Sequence, residues 1–151
     1  MDKELILENF LPYKLSILSN TVSNAIAIDY DKRFGLSIPE WRVIAVLGRF
    51  PGLSAVEVAD RTMMDKVAVS RAVSKLLKNG RLDREFADAD RRRSILNLSE
   101  EGRRVHDGVA PLALKFEADL LEGLSDDEIT ALNSTIERLM ARARLVGSPH
   151  H

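Results

Sequence analysis

The sequence predicts a mainly α-helical fold of the α+β class, in which a helix-turn-helix precedes a two-stranded β-hairpin and long helices occupy both ends. Three observations support this prediction. Only 5% of the 151 residues are aromatic, and the chain contains just eight glycines and five prolines. The helix-capping motif Ser-x-x-Glu begins at Ser37, Ser54 and Ser125, each time before apolar residues at helical spacing. Alternating apolar and polar residues near 82–87 and 93–98 predict a single pair of strands.

The individual elements follow from local signals along the chain. A loose turn near residues 5–10 precedes the first helix. The second helix carries Pro39 in its first turn, where the missing N–H costs no hydrogen bond, and it stops at Pro51-Gly52. The fourth helix ends at Asn79-Gly80, a common type of C-terminal cap. In chain order, the predicted helices cover about residues 12–34, 38–50, 55–62, 66–79, 100–122 and 126–146.

Charge is unevenly distributed along the chain. The formal net charge is −1, yet the segment from Arg61 to Arg93 contains ten Lys/Arg and five Asp/Glu. That segment carries +5 and the rest of the chain carries −6. A basic segment on an acidic body is typical of a protein that contacts phosphate with one face only.

Composition also excludes several kinds of protein. The chain has no cysteine, which excludes a disulfide framework, a thiolate metal site and a cysteine redox sensor. No apolar run approaches the roughly 20 residues of a membrane span, and the N-terminus lacks the features of a signal peptide. We therefore expect a cytoplasmic protein without a membrane partner.

The fourth helix, residues 66–79, has one apolar and one polar side. Val69, Val73, Leu76 and Leu77 fall on the apolar side, and Asp65 is the expected N-cap. The polar side carries short hydroxyls and long cations, which hydrogen-bond base edges and phosphates in DNA complexes. An ordinary solvated helix surface is the alternative explanation. The predicted contacts, with the cap included, are Asp65, Lys66, Ser70, Arg71, Ser74 and Lys75.

The hairpin of residues 82–98 carries arginines at its tip, the arrangement of a DNA-binding wing. An arginine on a hairpin tip can enter a narrow minor groove, and a nearby aspartate can hold its guanidinium. We expect Asp90 to pair with Arg92, and Arg91 and Arg93 to contact phosphates. A charged turn with internal salt bridges is the alternative. Together with the fourth helix, the wing indicates double-stranded DNA as the partner.

The terminal helices carry apolar stripes that either cover their own core or form a dimer interface. A protein that recognises a specific DNA site usually works as a two-fold pair. The predicted organisation is a dimerisation helix in residues 1–36, a winged helix-turn-helix domain in 37–99 and dimerisation helices in 100–146. Residues 147–151 are expected to be a disordered tail, native or left from cloning. The stripes comprise Leu15, Leu18, Val22, Ala25 and Ile26, and Ile129, Leu132, Ile136, Leu139, Ala143 and Val146.

Four segments resemble the multiple-antibiotic-resistance regulator (MarR) family of winged-helix repressors. Residues 53–59 (LSAVEVA) resemble the first helix of its helix-turn-helix, and residues 69–76 (VSRAVSKL) resemble its recognition helix. Asp90-Arg-Arg92 matches the Asp-x-Arg signature of the wing, and residues 98–102 (LSEEG) match the Leu-Thr-x-x-Gly that follows, with serine for threonine. The resemblance implies a homodimer that binds a palindromic operator and releases it when a small aromatic acid or phenol binds.

Candidate residues for such an effector site can be named. A tryptophan beside an arginine could stack on an aromatic ring and pair with its carboxylate. Each candidate also has a purely structural explanation, because tryptophan is commonly a core residue, arginine a surface cation and histidine a solvated side chain. The candidates are Tyr13, Ser16, Asn20, Trp41, Arg42 and His106.

Other functional classes receive less support. The chain lacks a glycine-rich phosphate loop, a metal-ligand spacing and a nucleophile elbow, so we expect no enzyme, no cofactor and no metal. A winged helix used for architectural DNA binding or protein contact remains an alternative, because the fold does not fix the function. The leading hypothesis is a ligand-responsive, dimeric transcriptional repressor.

Overall fold

A computed structural model describes residues 4–86 and 94–147, and it confirms the predicted fold class. These residues fall into two compact units, 4–113 and 114–147. A single 3₁₀ turn, Leu7–Asn9, precedes the first helix. In chain order the elements are α1 (Leu11–Phe34), α2 (Ile38–Arg49), α3 (Ala55–Thr62), α4 (Lys66–Lys78), β1 (Leu82–Phe86), β2 (Ser94–Leu98), α5 (Glu100–Leu120) and α6 (Asp126–Val146).

All three predicted capping boxes are formed. At the start of α2, the Glu40 N–H donates to the Ser37 hydroxyl at 3.3 Å, and the Ser37 N–H donates to the Glu40 carboxylate at 3.1 Å. The boxes at Ser54 and Ser125 repeat this pattern with distances between 3.0 and 3.2 Å. Each box satisfies two backbone donors that a helix N-terminus otherwise leaves unpaired. The serines therefore fix where α2, α3 and α6 begin.

The predicted helix boundary that differs most from the structure is the end of α5. Helix α5 ends at Leu120 rather than near residue 122, and a turn occupies the residues before Ser125. The Leu124 N–H donates to the Leu121 carbonyl at 2.9 Å within this turn. The chain turns before the Ser125 cap. Residues 121 and 122, which the sequence predicted as helical, therefore belong to this turn.

The wing is the predicted antiparallel hairpin, and its root carries an additional pairing. Strand β1 pairs with β2 so that Leu82 lies opposite Leu98. Leu53, just after the Pro51-Gly52 turn, forms a bridge with Leu96. The Leu96 N–H donates to the Leu53 carbonyl at 2.9 Å, and the Gly52 N–H donates to the Leu96 carbonyl at 3.1 Å. This bridge joins the wing to the residue that precedes the Ser54 cap of α3.

The core of the first unit lies under α2, α3 and α4. Helix α1 contributes the buried Tyr30 to it, with Ile26, Ala27 and Phe34 partly buried against it, and α6, in the second unit, has no buried residue. The helix-turn-helix and the wing root therefore share one packed support. The core consists of Tyr30, Leu36, Val43, Ile44, Leu47, Val58, Ala59, Val69, Ala72, Val73, Leu76, Leu82, Leu96, Val105 and Val109.

The first half of α5 lies against its neighbours at glycines. Gly102 leaves no room for a side chain, because a Cβ there would overlap the backbone carbonyl of Arg81. A Cβ on Gly108 would lie 2.5 Å from the ring of Phe34, and one on Gly48 of α2 would lie 2.5 Å from the ring of His106. These close approaches place α5 directly on the root of the wing and on the ends of α1 and α2.

We expect Gly102→Ala to destabilise the protein by about 3 kcal/mol or more, since the obstacle is backbone rather than a movable side chain. The matched control is Gly123→Ala, where a Cβ meets nothing within 4 Å, and its effect should stay within about 0.5 kcal/mol. Urea unfolding monitored by circular dichroism measures both. Equal midpoints for the two variants would show that α5 is not seated on Arg81.

Candidate nucleic-acid interface

The turn between α3 and α4 sets the direction of the recognition helix. The Thr62 hydroxyl donates to the Val58 carbonyl at 2.9 Å and accepts the N–H of Met64 at 3.3 Å. Met63 between them has a φ of 56° and is 81% exposed. A non-glycine residue in this conformation costs roughly 1 kcal/mol, so the surrounding contacts must enforce it. The turn is therefore a fixed geometry and not a flexible link.

Helix α4 begins at the predicted cap. The N–H of Ala68 donates to the Asp65 carboxylate at 3.0 Å, which confirms the prediction for Asp65 as N-cap. The side of α4 that faces the core buries Val69, Ala72, Val73 and Leu76. The opposite side is exposed and carries every helix residue that the sequence analysis assigned to DNA. We call this exposed set the reading face: Lys66, Val67, Ser70, Arg71, Ser74, Lys75 and Lys78.

Val67 and Lys78 belong to the reading face although the sequence analysis did not select them. Val67 is 55% exposed near the N-terminal end of α4, the end that reaches base edges in helix-turn-helix complexes. An apolar side chain there can contact the methyl group of thymine. A signal was available in the sequence, because Val67 does not fit the helical spacing of Val69, Val73 and Leu76.

Lys75 lies at the edge of the reading face and has an acidic neighbour. Its ammonium nitrogen is 3.6 Å from Oε1 of Glu40, the capping glutamate of α2. The Glu40 side chain is only 1% exposed, whereas that of Lys75 is 61% exposed. This pair was not predicted from the sequence. The signal was present, since Glu40 precedes Val43, Ile44 and Leu47 at helical spacing and so falls on the buried side of α2.

Only the base of the wing is described by the structure. Leu82 and Leu96 are buried and anchor it to the core, and Arg84 of β1 is exposed. The predicted tip residues Asp90, Arg91, Arg92 and Arg93 lie outside the described residues, and their roles stay predictions.

A second positively charged surface lies at the end of α2. The guanidinium of Arg61 is 4.0 Å from the centre of the Phe50 ring, and that of Arg49 is 5.1 Å away. Stacking on an aromatic ring stabilises a guanidinium while its N–H groups remain available to a partner. Arg49 and Phe50 were not predicted as site residues, because a ring contact between helices leaves no local pattern in the sequence.

Three of the six effector candidates meet near one cluster of rings. The Trp41 ring lies 6.1 Å from that of Tyr30 and 6.0 Å from that of His106. Arg42, next to Trp41, donates to the Ser23 hydroxyl of α1 at 3.0 Å. Burial raises the pKa of Tyr30, and the Arg42 guanidinium partly opposes the increase, so the phenol stays protonated at neutral pH. We call Tyr30, Trp41, Arg42 and His106 the ring cluster.

The remaining effector candidates lie elsewhere on α1. Tyr13, Ser16 and Asn20 are exposed, roughly one to three helical turns before Ser23. Sequence spacing predicted a shared helix but not how far along that helix α2 would contact it. Tyr30 in the ring cluster and the contact of Arg42 with Ser23 were therefore not predicted from the sequence.

Residues 4–86 and 94–147 hold neither a metal-binding cluster of side chains nor a membrane-spanning helix. Within those residues, no group of three or more His, Cys, Asp or Glu side chains is arranged to hold a metal ion. None of the helices in the described ranges combines the length and apolar character needed to cross a membrane.

Known proteins resemble this chain in sequence and in fold. The model of the MarR family matches residues 34–93. The HTH-type transcriptional regulator BilQ of Clostridium symbiosum (strain WAL-14163) is 27% identical over 105 residues, which are 70% of this chain and 73% of BilQ. The crystal structure of a MarR/EmrR family regulator from Acinetobacter sp. ADP1 is 26% identical with a TM-score of 0.85, covering 93% of this chain and 99% of that one. A MarR family regulator from Silicibacter pomeroyi is 25% identical with a TM-score of 0.79, covering 94% and 97%.

More distant structures share the fold and hold partners. A mutant of MarR from Escherichia coli complexed with operator DNA is 17% identical with a TM-score of 0.76, covering 91% of this chain and 99% of that one. The PcaV regulator from Streptomyces coelicolor in complex with its natural ligand is 24% identical with a TM-score of 0.75, covering 94% and 99%. At these identities the likeness shows the fold alone.

The cap of α4 can be tested separately from DNA binding. Asp65→Ala removes the acceptor for the Ala68 N–H and should lower the free energy of unfolding by about 1 kcal/mol. Asp65→Asn keeps a capping oxygen and is the matched control, expected within about 0.5 kcal/mol of the wild type. Urea unfolding compares the two, and an equal loss for both would point to the charge of Asp65 rather than to the hydrogen bond.

Proposed function

Because the chain belongs to the MarR family of winged helix-turn-helix transcriptional regulators, we propose that it is a homodimeric repressor of a palindromic DNA operator. A small aromatic acid or phenol releases it from that operator. The observation that carries the proposal is the reading face, an exposed row of hydroxyls and cations on a helix whose other side is locked into the core.

In this proposal α4 enters the major groove, which is wide enough for one helix. Arg71 is the best candidate for base recognition, because its planar guanidinium can donate two parallel hydrogen bonds to guanine. Ser70 and Ser74 supply short donors and acceptors, and Val67 supplies an apolar contact. Lys66 contacts phosphate at the N-terminal end of the helix.

The wing supplies a second contact in the adjacent minor groove. Arg92 enters the groove in this proposal, Asp90 orients its guanidinium, and Arg91 and Arg93 bind phosphates. The buried pair Leu82 and Leu96 supports the proposal, since a wing anchored in the core holds its tip at a fixed distance from α4.

Homodimerisation is supported by apolar side chains that the single chain leaves exposed. In the second unit, Leu132, Ile136, Leu139 and Met140 of α6 are between 40% and 46% exposed. Exposed apolar residues at helical spacing typically mark a surface that packs on another helix. A two-fold dimer presents two copies of α4 to two half-sites, which accounts for a palindromic operator. MarR from Escherichia coli, which shares the fold, has been seen with operator DNA.

The ring cluster is the proposed effector site. Its aromatic rings can stack on an aromatic acid, and Arg42 can exchange the neutral Ser23 hydroxyl for a carboxylate, which makes a stronger hydrogen bond. PcaV, which also shares the fold, was crystallised with its natural ligand. Tyr13, Ser16 and Asn20 are proposed only as residues that a ligand reaches from the cluster towards the start of α1.

Base recognition by Arg71 can be separated from phosphate binding with two substitutions. Arg71→Gln should weaken operator binding by about 1–3 kcal/mol, and Arg71→Lys should lose a similar amount although it keeps the charge. Fluorescence anisotropy at several salt concentrations measures operator and scrambled DNA side by side. Arg71→Lys should retain the wild-type affinity for scrambled DNA. Equal wild-type affinity for both sequences would refute the specific repressor.

The effector site has a built-in reporter, because Trp41 is the only tryptophan in the chain. Titration with 4-hydroxybenzoate should change the Trp41 emission in a saturable way and release operator DNA over the same concentration range. Arg42→Met should raise the required concentration by roughly tenfold, as a charge-assisted hydrogen bond is lost. Arg42→Lys, which keeps a cation, should lose less. Simple aromatic acids that leave both emission and DNA binding unchanged would refute this site while leaving DNA binding intact.

A further inference from the structure

We propose that Glu40 is an internal competitor for Lys75, and that it weakens the sequence-independent part of DNA affinity. This inference rests on the proposed function, because it concerns how the reading face meets phosphate. It adds a residue that lies outside the reading face and makes no contact with DNA itself.

The geometry ties Glu40 to its position. Oε1 accepts the N–H of Ser37 at 3.1 Å and lies 3.6 Å from the ammonium of Lys75. Oε2 is buried, and among the described residues it has no hydrogen-bond partner. The carboxylate is also held by the chain, since Glu40 is the third residue of α2 and its own N–H is bonded to Ser37. It cannot follow Lys75 away from the helix.

Glu40 is buried whereas Lys75 is largely exposed. This difference decides which of the two residues loses more when the ion pair breaks. A carboxylate removed from water loses its hydration and requires a compensating charge or donor. Lys75 is the cation that the structure places beside Glu40, and most of its own side chain is in water. If Lys75 swings out to a phosphate, Glu40 is left buried, with an Oε2 to which no described residue donates a hydrogen bond. Leaving Glu40 without its cation costs free energy, and this cost reduces the net free energy that the contact between Lys75 and phosphate contributes to DNA binding.

The consequence is specific to Lys75. Arg71 lies close to the same groove between α2 and α4, whose lining also includes Pro39 and Ala72, but Lys75 forms the ion pair with Glu40. Lys75 therefore contributes less to binding by counterion release than a lysine without an acidic neighbour would contribute at the same position of the reading face. Since phosphate contacts carry no sequence information, the effect should be the same for any duplex.

Glu40→Gln is the direct test, because glutamine also serves at this position of a capping box and the helix start is kept. Releasing Lys75 should raise the affinity for operator and scrambled DNA alike, by about fivefold for each protomer near 0.15 M salt. The slope of log affinity against log salt should steepen by about 0.9 for each protomer. Anisotropy titrations between about 0.05 and 0.3 M salt, the range over which phosphate contacts are lost, measure both quantities.

The matched control is the same substitution in a Lys75→Gln background. There Glu40→Gln still changes the net charge, but no lysine is released, so the salt slope should not steepen. A steeper slope in both backgrounds overturns the proposal in favour of a long-range charge effect. A gain confined to the operator also overturns it, since Lys75 would then contact a base.

Two further outcomes remain distinguishable. If the wild type fails to prefer its operator, the proposed function is wrong. If the wild type binds its operator as expected but Glu40→Gln leaves affinity and slope unchanged, only the competition is wrong. Should Glu40→Gln fail to fold, Lys75→Gln alone decides: a loss of slope of about 0.9 for each protomer would mean that Lys75 binds phosphate freely, and a clearly smaller loss supports the competition.

Discussion

The arrangement of the DNA-binding elements depends on one residue, Arg81, at the junction of α4 and β1. Its N–H donates to the Leu76 carbonyl at 2.8 Å, and its carbonyl accepts the N–H of Ser99 at 3.1 Å. Its guanidinium donates to the Phe34 carbonyl at 2.6 Å. The end of the recognition helix, the root of the wing, the start of α5 and the last turn of α1 are therefore held at a single point. If one of these elements moves, either the others move with it or the hydrogen bonds at Arg81 break.

The junction is kept at some energetic cost, which indicates how strongly its geometry is determined. The Nη1 of Arg81 is buried, and the described residues offer it no hydrogen-bond acceptor. Gly80 has a φ of 74°, a conformation that glycine tolerates better than any other residue. An unpaired buried donor costs about 1–3 kcal/mol, so the contacts around it must more than compensate. The same constraint fixes the separation of α4 and the wing, which a duplex with fixed groove spacing requires.

Local signals in the sequence predicted the helices and strands well, whereas the contacts between these elements were not predicted. The capping boxes and the Asp65 cap depend on residues three positions apart, so the sequence alone was sufficient for them. The bridge between Leu53 and Leu96 and the bond from Arg81 to Phe34 join residues 43 and 47 positions apart, and nothing nearby in the chain indicates them. Glu40 is intermediate: its helical spacing with Val43, Ile44 and Leu47 indicates burial, although burial was not predicted from it, and its cationic partner lies on another helix. The sequence thus predicted a list of candidate residues on α4, without the acid that lies beside one of them.

Besides the packing of Tyr30, two side-chain hydrogen bonds among the described residues join α1 to the rest of the first unit, and they suggest how an effector can act on DNA binding. Arg42 holds α1 at Ser23, and Arg81 holds it at Phe34, eleven residues or about three turns later. A ligand shifts an equilibrium only by its differential affinity for two states. In the proposed function a carboxylate that takes Arg42 removes the Ser23 contact, so the bound state loses the hydrogen bond at Ser23 and keeps the packing of Tyr30 and the hydrogen bond at Phe34. Because the Phe34 carbonyl accepts a hydrogen bond from Arg81, which lies between the end of α4 and the start of β1, in this proposal a shift of α1 is transmitted to the junction that holds both DNA contacts. The release of DNA then requires no direct contact between ligand and reading face.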